Sequence, residues 1–342
     1  MTASKGLAAL KASQLKYAAF YMGLATTGTK PELEHAIRNC AFQHRLEPSN
    51  EARIVSVDMG IKNLGICVLD ASKRTDNESA PLEVIEWKTV DVFSNLTAQS
   101  GIEQDQLIGM TSAVPLGDKR RRKVTKRSAI HASLFRPSLL SKTAFGIAKD
   151  ILHSYKPSHI LIERQRFRSG GASAVQEWTL RVNMLESMLW ACLETMRKQA
   201  NQHLEHHEFP SVEELPMEMS IEDWMVDKPL VTETKKRIEK KDKIAVVRSW
   251  LSQVDTSGPN SRAPTLEFDE DARKTADAFM VDVKQRKSFS SITVSSSEEG
   301  PLKLYKLDDL ADSLLQAVAW VRWTDNRREI RGMIERSEGR PK

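Results

Sequence analysis

The stretch Arg53-Ile54-Val55-Ser56-Val57-Asp58-Met59-Gly60-Ile61-Lys62-Asn63-Leu64-Gly65-Ile66-Cys67-Val68-Leu69-Asp70 decides the fold. Ile54, Val55 and Val57 form a short β-branched run that predicts a strand, and it ends on a carboxylate, Asp58. Gly60 permits a tight reversal, and Leu64, Ile66, Val68 and Leu69 predict a second strand running back beside the first. Gly65 lies on that second strand, a place where backbone or ligand approaches closely. A carboxylate at the end of a buried strand is costly unless something positive meets it. Asp58 either caps a turn or joins further carboxylates around a divalent metal, and this stretch alone leaves both open.

The pattern repeats downstream. His159-Ile160-Leu161-Ile162-Glu163 is again an apolar strand ending in a carboxylate. Residues 306–320 carry apolar positions at helical spacing: Leu307, Leu310, Leu314, Leu315, Val318 and Ala319. Asp309 and Asp312, three apart, share one face near the helix start, and Asp308 pairs with Asp312 at a spacing of four. Acids in a first helical turn also complement the helix dipole, which accounts for one of them more readily than for three. Oxygen donors with no His or Cys beside them point to Mg²⁺ or Mn²⁺ rather than zinc. Carboxylates from separate elements around two such ions suit phosphodiester hydrolysis. A lookalike, Thr275-Ala276-Asp277-Ala278-Phe279, has Lys274 where the earlier acid would stand and is set aside.

The chain has 342 residues, 40% of them hydrophobic, enough for one large domain with an appendage or for two domains. No run of eighteen apolar residues exists, so no membrane partner is expected. The net charge of +5 is unevenly placed. Basic clusters at Lys119-Arg120-Arg121-Arg122-Lys123, Lys126-Arg127 and Lys235-Lys236-Arg237 suit a polyanion or a solvated face. Cys40, Cys67 and Cys192, odd in number and far apart, suggest neither a disulfide framework nor a zinc site, which fits a reducing compartment. No acid precedes Glu32, an import-like bias on a segment that also reads as folded helices.

Residues 10–41 predict two short helices around a turn, the second with Thr29 as N-cap and Pro31 at its start. A third strand is expected at Val84–Trp87, a helix over 138–155 and a long helix over about 172–199. The broad apolar face of the last suits either the core or a homodimer interface. A strand is expected at 217–221 and a basic amphipathic helix over 234–251. Insertions are expected near 93–134, 200–232 and 253–300, the last as a flexible segment. His203, His206 and His207 fall in a polar insertion and read as a solvated cluster. Arg327, Arg328 and Arg331 read as a basic, solvated tail.

Two resemblances follow from these motifs. Leu15…Gly23-Leu24…Gly28-Thr29-Lys30-Pro31-Glu32-Leu33 resembles a SAP motif, a small helical DNA-binding module, which implies Lys30 as a phosphate contact. Val57-Asp58-Met59-Gly60-Ile61-Lys62-Asn63-Leu64, Ile162-Glu163-Arg164-Gln165 and the 306–315 segment resemble the RuvC-type branch of the ribonuclease H-like fold. Within it they resemble most the fungal mitochondrial Holliday junction resolvases, which also carry a SAP-like N-terminus. The resemblance implies an α/β fold, a mixed sheet flanked by helices, with a module at 1–45 and a nuclease domain at 52–325. It implies a mitochondrial homodimer making paired nicks across a four-way DNA junction. It also implies two Mg²⁺ or Mn²⁺ ions held by Asp58, Glu163, Asp309 and Asp312, with Asp308 as alternate to Asp309. A basic residue such as Lys243 would assist at the scissile phosphate. Arg166, Phe167 and Arg168 are expected to line the junction centre, Phe167 stacking on an unpaired base or serving the core. Arg120, Arg121, Arg122, Lys235 and Lys236 are expected along the DNA backbone. The competing readings are a ribonuclease H-like nuclease acting on an RNA–DNA hybrid, and a non-catalytic DNA-binding protein.

Overall fold

The β-branched run forms β1 (Arg53–Asp58), and β2 (Leu64–Asp70) returns antiparallel with Gly65 opposite Asp58. The structure, a computed structural model, describes residues 6–42, 52–71, 80–92, 94, 96, 135–165, 177–202, 209–215, 239–252, 263–281, 291–294, 302–305 and 307–338. β3 (Leu82–Val90) pairs antiparallel with β2. β4 (His159–Glu163) lies parallel to β1, and β5 (Ser211–Leu215) parallel to β4. β6 (Leu266–Phe268) adds parallel to β3, giving the mixed order β5-β4-β1-β2-β3-β6. A separate antiparallel pair, β7 (Ser291–Val294) and β8 (Leu302–Tyr305), stands apart from it.

Side chains on a strand alternate between faces, and here each face has its own core. Val55 and Val57, with Ile66, Val68, Ile160 and Ile162, pack against α3 (Pro137–Asp150) and α4 (Glu177–Gln202). Ile54, Cys67, Leu69 and Leu161 pack with α5 (Lys240–Leu251), α6 (Glu270–Met280) and α7 (Leu307–Ser337) on the other face. By the same alternation Ser56, Asp58, His159 and Glu163 belong to the α7 side. Polar groups on that face have a partner layer rather than solvent.

The first half of α7 is buried on nearly every side, from Leu310 to Trp323, because sheet, α5 and α6 enclose it. Its first turn is fastened by Trp87, whose Nε1–H donates to the Leu310 carbonyl at 2.9 Å. Further along, Trp320 Nε1–H donates to Glu213 at 2.8 Å, tying edge strand β5 to the helix.

The N-terminal helices α1 (Ala12–Tyr21) and α2 (Lys30–Ala41) form as expected, α2 opening on a reciprocal Thr29–Glu32 capping box. Their core, including Leu15, Met22, Leu33 and Ile37, is completed by Ile330 and Ile334 of α7. Asn326 and Arg327 of α7 donate to the carbonyls of Tyr21 and Met22 at the end of α1. Gly23 ends α1 with a φ of 73°, and a Cβ there would sit 2.4 Å from the Trp323 ring. Only glycine satisfies both the left-handed turn and that contact.

Several expectations are corrected. Residues 253–300 contain β6 and α6, and the set-aside Thr275–Phe279 segment lies on α6. There Thr275, Ala276, Ala278 and Phe279 are buried in the main core. Ala272, Ala276 and Phe279 do recur at helical spacing there, but the charge-rich composition around them reads as an insertion, and only the layer above reveals what they cover. The expected polar insertion at 200–232 contains β5 at Ser211–Leu215; residues 217–221 lie outside the described residues. The expected basic tail is the second half of α7, with Arg327 and Arg331 engaged on the N-terminal helices. The helix expected to 155 is α3 followed by a π-helical turn, Ile151–Tyr155. On α4, Val182, Leu185, Leu189 and Leu193 are buried in the sheet core, which accounts for much of its apolar face.

Candidate metal and catalytic site

Strand register brings the first two acids together. Val57 pairs with Ile162, so the next residues, Asp58 and Glu163, end adjacent parallel strands on the α7 face. Both are buried, at 8% and 3% exposure, and their carboxyl groups are hydrogen-bonded to one another. Asp309 and Asp312 come down onto this pair from the first turns of α7. Gly65 permits the approach: a Cβ there would stand 2.5 Å from the Asp309 carbonyl oxygen and 3.4 Å from the Asp58 Cβ.

The electrostatics record how crowded the acids are. Burial raises the Asp58 carboxyl well above the usual carboxylate range, and the negative charges of Glu163, Asp312 and Asp309 raise it further. Asp312 is pushed up to about 6, chiefly by burial and then by Glu163 and Asp308, against the opposing pull of the Lys243 ammonium. Lys243 Nζ lies 2.7 Å from Asp312, and both side chains are largely buried. Asp308 is ion-paired with Lys240 on α5. The charge of Asp309 acts on Asp58, and that of Asp308 on Asp312.

The quartet expected to hold two ions is not in ligating geometry: among the described residues no three His, Cys, Asp or Glu side chains are gathered around a metal position. Each acid instead has an internal partner: Lys243 for Asp312, Glu163 for Asp58, and the Gln316 amide for Glu163. The donor chemistry nevertheless fits a hard divalent cation. All donors are carboxylate oxygens, and beyond the effect of burial the neighbouring acids raise Asp58 and Asp312, a repulsion that a cation would relieve.

A pH dependence follows. Asp312 is protonated more readily in the fold than in the unfolded chain, so its contribution to stability is full below about pH 4 and lost as pH rises through 6. The loss is on the order of 3 kcal/mol for Asp312, and Asp58 adds in the same direction. In chelating buffer, melting of Asp58→Asn is expected to match the native chain near pH 4 and to exceed it increasingly above pH 6. Parallel melting curves across that range would remove the repulsion from the account.

Other expected residues are placed as follows. Lys30 is exposed, with its Nζ donating to the Ala8 carbonyl at 2.8 Å. Arg120, Arg121, Arg122, Arg166, Phe167, Arg168, Lys235, Lys236 and the His203, His206, His207 group lie outside the described residues. Sequence reasoning missed Ser56, Gln316, Lys240 and Trp87. A lone Ser on a strand or Gln on a helix carries no motif; its only signal is a polar residue at a position where the periodicity demands a core one.

Comparison with known proteins agrees with this architecture. The family described as "Mitochondrial resolvase Ydc2 / RNA splicing MRS1" matches residues 54–330. The chain is 26% identical to "Cruciform cutting endonuclease 1, mitochondrial" of Schizosaccharomyces pombe, over 93% of each chain. It is 23% identical to the protein of the same name from Saccharomyces cerevisiae, over 95% of this chain and 85% of the other. The crystal structure of the yeast mitochondrial Holliday junction resolvase Ydc2 shares the fold, with a TM-score of 0.55 and 23% identity. That match covers 95% of this chain and 98% of the other.

Proposed function

The chain belongs to the mitochondrial resolvase Ydc2/RNA splicing MRS1 family, and from that premise we propose that it is a mitochondrial, structure-selective endonuclease that resolves four-way DNA junctions. The observation that carries the reading is the pair Asp58 and Glu163, buried side by side at the ends of β1 and β4 under the acids of α7. A protein that only bound nucleic acid would have no use for such mutually repelling carboxylates in its interior.

Asp58, Glu163, Asp309 and Asp312 are the residues that would hold Mg²⁺ or Mn²⁺, two ions per site. When bound, such ions activate water and stabilise the leaving 3′ oxygen. Asp309 takes the place left open between it and Asp308, which Lys240 neutralises. Lys243 holds Asp312 in the metal-free protein. With a cation held by Asp312, the Lys243 ammonium beside it would serve to meet the scissile phosphate. Burial around Asp58 and Glu163 keeps bulk water from the reacting centre. Two nicks related by the symmetry of the junction require two such sites, hence a homodimer, and exposed Phe145 and Leu180 on α3 and α4 offer apolar surface for it. No described helix is long and apolar enough to cross a membrane.

Full-length protein with Mg²⁺ is tested on four-way junction, linear duplex, flap and RNA–DNA hybrid. The expected result is paired symmetric nicks with ligatable 5′-phosphate ends in the junction alone. Comparable cutting of the hybrid would replace this reading with that of a ribonuclease H-like nuclease of another substrate.

A further inference from the structure

Gln316 and Ser56 form a buried relay that ends on Glu163. Gln316 lies on α7 one turn beyond Asp312, and Ser56 lies on β1 two residues before Asp58, on the same face. Gln316 is 4% exposed and Ser56 0%. The Ser56 hydroxyl donates to Gln316 Oε1 at 3.0 Å, and Gln316 Nε2–H donates to Glu163 Oε2 at 2.9 Å. We infer that this relay is the positioning device of the metal site, setting which oxygen of Glu163 is presented to the cation. The inference rests on the proposed metal-dependent reading.

The chemistry of the three groups supports it. An amide can present either end to a neighbour, and the network decides which. With Glu163 ionised, only Nε2 makes an attractive contact, because Oε1 would face a carboxylate. The Ser56 hydroxyl donates to Oε1 and so anchors the far end of the amide, fixing where Nε2 stands against Glu163. Glu163 Oε2 is thereby occupied by a neutral donor. A lysine in the same place would bring a charge that competes with the cation, as Lys243 does at Asp312. The neutral amide orients the carboxylate without opposing the ion. Both Ser56 and Gln316 are buried polar groups amid a leucine and valine core, where an unneeded pair would have been better replaced by apolar side chains.

The test uses Gln316→Met, which keeps length and removes both bonds, and Ser56→Ala, which removes the anchor at the far end of the amide. Mn²⁺ binding to the DNA-free protein is measured by calorimetry, and junction cleavage is titrated with Mg²⁺. Both variants are expected to weaken Mn²⁺ binding and to raise half-saturating Mg²⁺ by about 10-fold or more. Cleavage at saturating Mg²⁺ and metal-free junction affinity should change far less. A purely structural role would lower the folded fraction without moving the half-saturating concentration of what remains. Unchanged metal titrations in Ser56→Ala, beside a native protein that binds Mn²⁺, would overturn the relay. A native protein that neither binds Mn²⁺ nor cuts would instead overturn the metal-dependent reading itself.

Discussion

Asp58→Asn should cut junctions at least roughly 10³-fold more slowly than the native chain while binding them with the same affinity. The loss corresponds to several kcal/mol of charge stabilisation by a bound cation that an amide cannot hold. On the proposed reading, binding would be carried by basic surface and would be untouched by the change. The variant has a second signature. Asp58 is buried among Glu163, Asp312 and Asp309, and its ionised form is disfavoured there. An amide keeps a hydrogen bond to Glu163 without adding charge, so metal-free Asp58→Asn should melt higher than the native protein at neutral pH. Lost cutting with gained stability separates removal of the metal site from damage to the fold. Native cutting rates would rule out the site, and lost junction binding would mean that Asp58 serves the DNA surface instead.

Gly65→Ala is expected to produce the second large effect through geometry. The added Cβ would lie 2.5 Å from the Asp309 carbonyl oxygen, a backbone atom with no side-chain freedom to yield. The first turn of α7 must then lift from β2, carrying Asp309 and Asp312 away from the strand-borne pair. A displacement near 1 Å at such a site costs about 10²-fold in rate, and the overpacking costs about 1–3 kcal/mol in stability. Gly146 supplies the control: it lies on α3, and a Cβ there meets nothing within 4 Å. Gly146→Ala should leave cleavage unchanged and stabilise by about 0.5–1 kcal/mol, since alanine favours the helix. Equal cleavage by both variants would show that the approach of α7 to β2 is not what positions the acids.

The two results would also show why a four-acid reading needed more than spacing. Asp58 and Glu163 were legible because each ends an apolar run, and strand alternation fixes which side chain turns inward. The α7 acids were legible because helical spacing puts Asp309 and Asp312 on one face. Those are local rules, acting over a few residues. The surroundings of Asp308 and Asp309 were not local: Lys240, 68 residues away in the chain, pairs with Asp308, and the Asp309 backbone lies against Gly65.

By itself, then, the amino-acid order determined the strands β1 to β4, the N-terminal helices, the helices before and after β4, the start of α7 and the residue types at the site, since backbone sterics and hydrophobic period act within a single element. Only the tertiary structure decided that Gln316 and Ser56 share Glu163, that Lys243 sits on Asp312, and that α6 is core rather than insertion. Those outcomes depend on which faces meet across a sheet. A buried polar group takes whichever partner lies within about 3 Å in space, and distance along the chain carries no record of it.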